Sequence, residues 1–234
     1  MTELLADRTW PTVSGAPLVL MPLGSTEQHG PHLPFSTDSV IATAVALGVA
    51  ASIRATRAVV VAPTVSYGAS GEHQSFPGTV SIGHEALQLA IIELVRSLST
   101  WASGILFVNG HGGNVTSLQA AIPQMITEAH RVAWVPCTVR HGDAHAGRVE
   151  TSLMLHLAPE SVELTQARPG NVAPVSELLA AMKAGGTRAV SPSGVLGDPT
   201  GANAAEGAAL LDEMIETALR RLSTYAVDER GCLT

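Results

Sequence analysis

Four short stretches of this 234-residue chain concentrate imidazoles and carboxylates. GSTEQHGPHLPFSTD (24–38) carries Glu27, His29, His32 and Asp38, and YGASGEHQSFPGT (67–79) carries Glu72 and His73. NGHGGN (109–114) carries His111, and RHGDAHAGRVETS (140–152) carries Asp143, His145 and Glu150. Mixed imidazole and carboxylate donors suit zinc, iron or manganese rather than calcium or magnesium. Glu27 and His29 are two apart, so in an extended segment both side chains leave on the same side. Asp38 offers two acceptor oxygens on a short stem at a helix start, which suits a bridge between two cations. The glycines around His111 let backbone come close to a site. Two such metals polarise a carbonyl and acidify water at neutral pH. The bland alternative for Glu27, His29, Asp38 and His111 is a hydrogen-bonded loop network, and spacing alone leaves both open. His32 reads as a brace of its loop rather than a ligand. His84, His130 and His156 read as satisfied polar residues and His141 as solvated. Glu72 reads equally as a site residue or a surface carboxylate.

The elements that must position these loops are legible as apolar runs. Leu18–Leu23, 58–62, 105–108 and 132–139 are short, rich in Val, Leu and Ile, and followed by Gly or Pro, as buried strands are. Helical patterns lie between and after them: from Thr37 or Asp38 to about 53, 85–102, 114–130 with a bend expected at Pro123, 147–157, and 204–225. Alternating strands and helices predict a three-layer α/β/α fold around a mainly parallel sheet. The four polar stretches each follow a strand, so they gather at its carboxyl edge, where such sheets bind ligands. The Gly- and Pro-rich stretch 185–203 reads as a long loop, ordered or mobile. The whole of 1–234 reads as one domain, with a short N-terminal arm (1–16) and a flexible tail from about 226.

Composition excludes other classes. A net charge of −7 without a Lys/Arg run argues against nucleic acid, and 3% aromatics cannot build a base-stacking surface. No apolar stretch is long enough to span a bilayer, and the first residues do not form a signal peptide, which points to the cytoplasm. Charged residues make up only 14%, which suggests that surface is covered in a homo-oligomer. Cys137 and Cys232 have no metal-type spacing; they read as a core thiol and a loose-tail thiol. Neither a G-x-S-x-G elbow nor a phosphate-loop spacing is present, and acidic neighbours of NGHGGN would repel phosphate.

In this order, GSTEQHGPHLPFSTD, NGHGGN and DAHAGRVETS resemble the signature of the creatininase family. The likeness extends to YGASGEHQSFPGT and GVLGDPTGANAAEG and runs from about residue 17 to 223. It implies an amidohydrolase with two divalent metals, one held by Glu27, Asp38 and His111, the other by His29, Asp38 and Glu150. His145 would then give a proton to the leaving nitrogen, with bracing of the DAHAG turn as its alternative role. Glu72, His73, Gly112 and Asp143 would line the substrate pocket. Creatininase itself has His-Tyr-Glu-Asn where this chain has His111-Gly112-Gly113-Asn114; Gly113 cannot ligate, and Glu150 is the substitute. The two glycines are expected to leave free volume beside the metals. VPCTV, GEH and GDPT followed by AAEG are similar to a branch of the family that cleaves a modified, ribosomally made precursor peptide. That implies release of a Val–Tyr-derived dipeptide after Gly, iron and zinc (manganese as an alternative), and a homo-oligomer of several subunits. The rival readings are hydrolysis of a small cyclic amide or formamide, and a non-catalytic scaffold.

Overall fold

A computed structural model describes residues 4–140 and 142–234; the reading of His141 lies outside them. The strands are β1 (Leu18–Leu23), β2 (Val59–Val61), β3 (Gly104–Asn109) and β4 (Val132–Pro136). They form one all-parallel sheet in the order β2-β1-β3-β4. The register sets Leu20 beside Val61 and Leu106, and Leu106 beside Ala133. Because side chains alternate across a strand, Leu18, Leu20, Leu106 and Val108 enter one core, and Val19, Met21, Ile105 and Phe107 the other. Both faces are therefore buried, which explains why the strands read as unbroken apolar runs.

The helices are α1 (Thr37–Ile53), α2 (Gly83–Leu98), α3 (Val115–Thr127), α4 (Arg148–Leu157), α5 (Val175–Gly185), α6 (Thr187–Val190) and α7 (Ala204–Thr224). Residues of α1, α4 and α7 cover the first face, and those of α2 and α3 the second. Ile41, Ala42, Val45, Ala46, Val49 and Ala50 of α1 are all buried. This helix lies between the sheet and α7, so its apolar surface exceeds the single stripe expected from Ile41, Ala44, Val45 and Gly48. Pro123 sits inside α3, as expected. Among the described residues no helix is long and apolar enough to cross a membrane.

Three segments depart from expectation. Strand β4 ends at Pro136 rather than near 139. The 185–203 stretch is packed: it contains α6, buried Thr187 and Ser191, and a bridge from Leu196 to His145. The segment expected to be a loose tail docks instead along the outer edge of β4. Trp134 N–H donates to the Gly231 carbonyl at 3.0 Å, Leu233 N–H donates to the Trp134 carbonyl at 2.9 Å, and Leu233 is fully buried. Backbone amides on a sheet edge need partners, and residues 231–233 supply them here.

Candidate metal centre

Strand order places the centre. From β1 the chain goes by α1 to one side, and from β2 it returns by α2 to β3 on the other side of β1. The crevice at the carboxyl ends of β1 and β3 is thus a topological switch point. The loop after β1 brings Glu27, His29 and the start of α1 with Asp38; the turn after β3 brings His111. All four are buried. Asn114, which the sequence reading passed over, ties the two loops together: its amide donates to the Gly24 carbonyl and accepts from Ala69 N–H.

Asp38 faces two imidazoles with different oxygens. His29 Nε2 is 3.0 Å from Oδ1, and His111 Nδ1 is 3.3 Å from Oδ2. Ser25 Oγ donates to Oδ2 at 2.6 Å, which fixes the carboxylate plane. His29 Nδ1 lies 3.1 Å from the Glu27 carbonyl; donating there leaves Nε2 for the cluster. Glu150 Oε2 lies 3.8 Å from His29 Nε2 and also accepts from Ala146 N–H at 2.5 Å, so this carboxylate both caps its loop and faces the cluster. Glu27, His29 and Asp38 bring ligand atoms within 4.8 Å of one another, as do His29, His145 and Glu150, and Glu27, His73 and His145.

Glu27 tests whether the site fits a cation. It is fully buried, and both carboxylate oxygens lack a hydrogen bond. His111 Nε2 at 3.2 Å and His73 Nε2 at 3.5 Å approach it only as ion pairs. A buried carboxylate without hydrogen bonds carries a desolvation cost of several kcal/mol, which a bound cation offsets. The donor set of imidazoles and carboxylates fits a divalent transition metal.

The charge states follow from burial and neighbours. Burial raises the Glu27 carboxyl, but His111 and His73 together draw it down to about 2. Burial lowers His29, but Asp38 and Glu150 push it up to about 10. Burial raises Glu150 to about 7 against the pull of His29. For His145, burial together with His29 and His73 holds the ring well below its ordinary value, so it is neutral at pH 7.

The remaining sequence candidates fall into distinct places. His145 Nε2 is 2.8 Å from the Gln28 carbonyl and Nδ1 is 3.8 Å from Glu27 Oε1. Gln28 carries no signal in the sequence, because an uncharged amide between Glu27 and His29 is ordinary loop polarity. Its side-chain amide contacts His73 Nδ1 at 2.8 Å and the Gly194 carbonyl at 3.1 Å, fastening the 67–79 and 185–203 segments to the centre. His73 stands in the cluster itself, whereas Glu72 sits at its rim, 3.7 Å from His111 Nε2. Asp143 lines the cavity but commits its oxygens to α4, accepting from Arg148 N–H and, at 3.2 Å, from Val149 N–H. His32 braces its loop through Thr151 Oγ1 at 2.9 Å.

The two glycines after His111 differ. A Cβ at Gly112 meets nothing within 4 Å, so the expected free volume is there. At Gly113 it would collide with the His111 ring and the Ala69 carbonyl and come within 2.7 Å of Glu72 Oε1, which corrects the expectation for that position. Gly113→Ala should therefore displace His111, at about 1–3 kcal/mol of overpacking, and lower metal content, while Gly112→Ala stays near wild type. Thermal melting and elemental analysis of both variants check this; equal effects would sink the distinction.

Comparison with known proteins agrees with this architecture. The family model described as creatinine amidohydrolase matches residues 6–222. The chain is 52% identical over 223 residues to the mycofactocin precursor peptide peptidase of Mycolicibacterium smegmatis, covering 94% of this chain and 90% of that one. It is 48% identical over 231 residues to the protein of the same description from Mycobacterium ulcerans, covering 97% and 90%. In fold it matches a zinc–zinc form of a creatininase mutant with a TM-score of 0.79 at 23% identity, over 96% of this chain and 98% of that one. The chain belongs to the creatininase family.

Proposed function

We propose that this chain is a cytoplasmic, metal-dependent peptidase that cleaves the modified mycofactocin precursor peptide near its C-terminus, after Gly, and releases the Val–Tyr-derived dipeptide. The observation that carries the substrate is the 52% identity, over nine-tenths of both chains, to a protein described as that peptidase. Glu27, Asp38 and His111 would hold one divalent metal, and His29, Asp38 and Glu150 the other, with iron and zinc as the proposed pair and manganese as the alternative. The unpartnered oxygens of Glu27 and the two-sided contacts of Asp38 support this. Metals bound there would lend Lewis acidity to the scissile carbonyl and acidify water.

The chain's own groups do the rest. Glu150, held toward the cluster by Ala146 N–H, is placed to take a proton from water there. His145 is neutral, and its Nε2 is held by the Gln28 carbonyl, so Nδ1 is free to accept the proton that the attacking water releases and to pass it to the leaving nitrogen. His73, Glu72, Gly112 and Asp143 line the space around the cluster. One domain is supported by the two cores sharing one sheet. A homo-oligomer is supported by the low charged fraction of 14%.

A second reading, hydrolysis of a small cyclic amide, has the description of the family model in its favour. Incubation of metal-replete enzyme with the decarboxylated, cross-linked precursor and, separately, with creatinine separates the two by mass spectrometry. Expected is cleavage of the peptide alone, abolished by a chelator and restored by Fe²⁺ or Zn²⁺. An intact peptide with turnover of creatinine or a formamide would overturn the peptidase reading.

A further inference from the structure

Among the described residues, α5 is the one long helix that adds no buried residue to the core. Its apolar residues Val175, Leu178, Leu179 and Met182 follow the i, i+3, i+4, i+7 spacing of a single face, yet none of its residues is buried. Leu179 is 45% exposed. An apolar stripe ordinarily covers a core; this one covers a cavity. Val175, Leu179 and Met182, with Leu196, line one wall of a space of about 340 Å³ whose other wall includes Glu27, His73, His111 and His145.

The helix is fastened at its end rather than along its body. Gly186, at φ 71°, ends it, and a Cβ there would meet the Glu72 carbonyl at 2.9 Å, so the chain passes directly against the 67–79 loop. Next along the chain, Thr187 is fully buried and the Arg188 guanidinium lies 4.3 Å over the Phe76 ring. These contacts hold α5 over the metal centre without using its apolar face.

A second and larger space, about 780 Å³, runs outward past Ala144, Asp143 and Val149 and is bordered by Arg140 and Arg148. The two spaces share Ala144, Val175 and Leu196. A volume of 340 Å³ lies at the low end of the ~300–1,000 Å³ of small-ligand sites. It accommodates a short chain end, whereas a long peptide needs the larger groove.

We infer that α5 is a specificity wall: Val175, Leu179 and Met182 form an apolar subsite that seats the short apolar group on the departing side of the scissile bond. This rests on the peptidase reading and adds to it the residues that select the departing group. The amide nitrogen of that group then lies on the side of the cavity where His145 stands.

The test is a substrate-by-enzyme cycle. Precursor peptides with Val, Ala or Gly immediately after the cleaved bond are assayed with wild type and with a Leu179→Ala/Met182→Ala variant. Both substituted positions lie outside the core, so the fold should be kept, and metal content is measured alongside. In wild type, shortening Val to Ala should lower kcat/KM by about 10-fold or more. In the variant the same change should cost less than about 3-fold, with metal content unchanged. An equal penalty in both enzymes would overturn the subsite and leave the peptidase reading standing. Loss of metal in the variant would also overturn it, by making α5 a support of the metal loops. If wild type leaves the cross-linked precursor with its native Val intact, the peptidase reading fails and the subsite with it.

Discussion

Asp38→Ala is expected to strip the protein of both metals together. Asp38 Oδ1 faces His29 and Oδ2 faces His111, so in the proposed two-metal centre this one short carboxylate would serve both halves. Loss of a ligand from only one half, as in His29→Ala, should weaken mainly that half. Because metal-ion catalysis contributes several kcal/mol, and each 1.36 kcal/mol is tenfold, hydrolysis by Asp38→Ala should fall by ~10³-fold or more. Elemental analysis of the purified variant is the direct check, with circular dichroism confirming the fold. If Asp38→Ala keeps its full complement of metals, the bridging role is wrong whatever its activity.

His145→Ala is expected to separate proton transfer from metal binding. A positioned acid or base contributes about 10²–10⁴-fold, so kcat should fall by that amount. His145 Nε2 meets the Gln28 carbonyl, and Nδ1 is 3.8 Å from Glu27 Oε1. That geometry suits a proton carrier, and it also suits a ligand, since His145 clusters with Glu27 and His73. The proton-carrier role requires metal content to stay at the wild-type level while kcat drops. Loss of metal from His145→Ala would reassign the residue to the coordination shell.

Much of this was legible from the chain alone, and the reasons are specific. Strands buried on both faces show as unbroken runs such as Leu18–Leu23, and parallel pairing then sends every following loop to one edge. That is why the sequence pattern alone groups Glu27, His29, Asp38, His111 and His145 at one edge of the sheet. What stayed hidden depended on contacts between distant segments. Gln28 acquires its role only when Gly194 and His73 arrive beside it. Gly112 and Gly113 are identical in sequence, yet one faces open space and the other the His111 ring. Helix α5 lies in a stretch given no element, because a four-residue stripe followed by two glycines is a weak periodic signal. The docking of 227–233 could not be read either: its backbone pairs with β4, roughly a hundred residues earlier, and backbone pairing leaves no pattern in side chains.

That last contact also limits how copies of the chain can associate. An exposed strand edge is a ready template for a neighbouring chain, and many assemblies grow by running one sheet into the next. Here the row of donors and acceptors around Trp134 is already taken by Gly231 and Leu233, and the Trp134 indole N–H is taken by the Arg230 carbonyl. A second copy approaching β4 at Trp134 would find that part of the backbone ladder already occupied. Subunits meeting there would be joined by shape and apolar area, and a complex built that way dissolves without unzipping the sheet inside either partner.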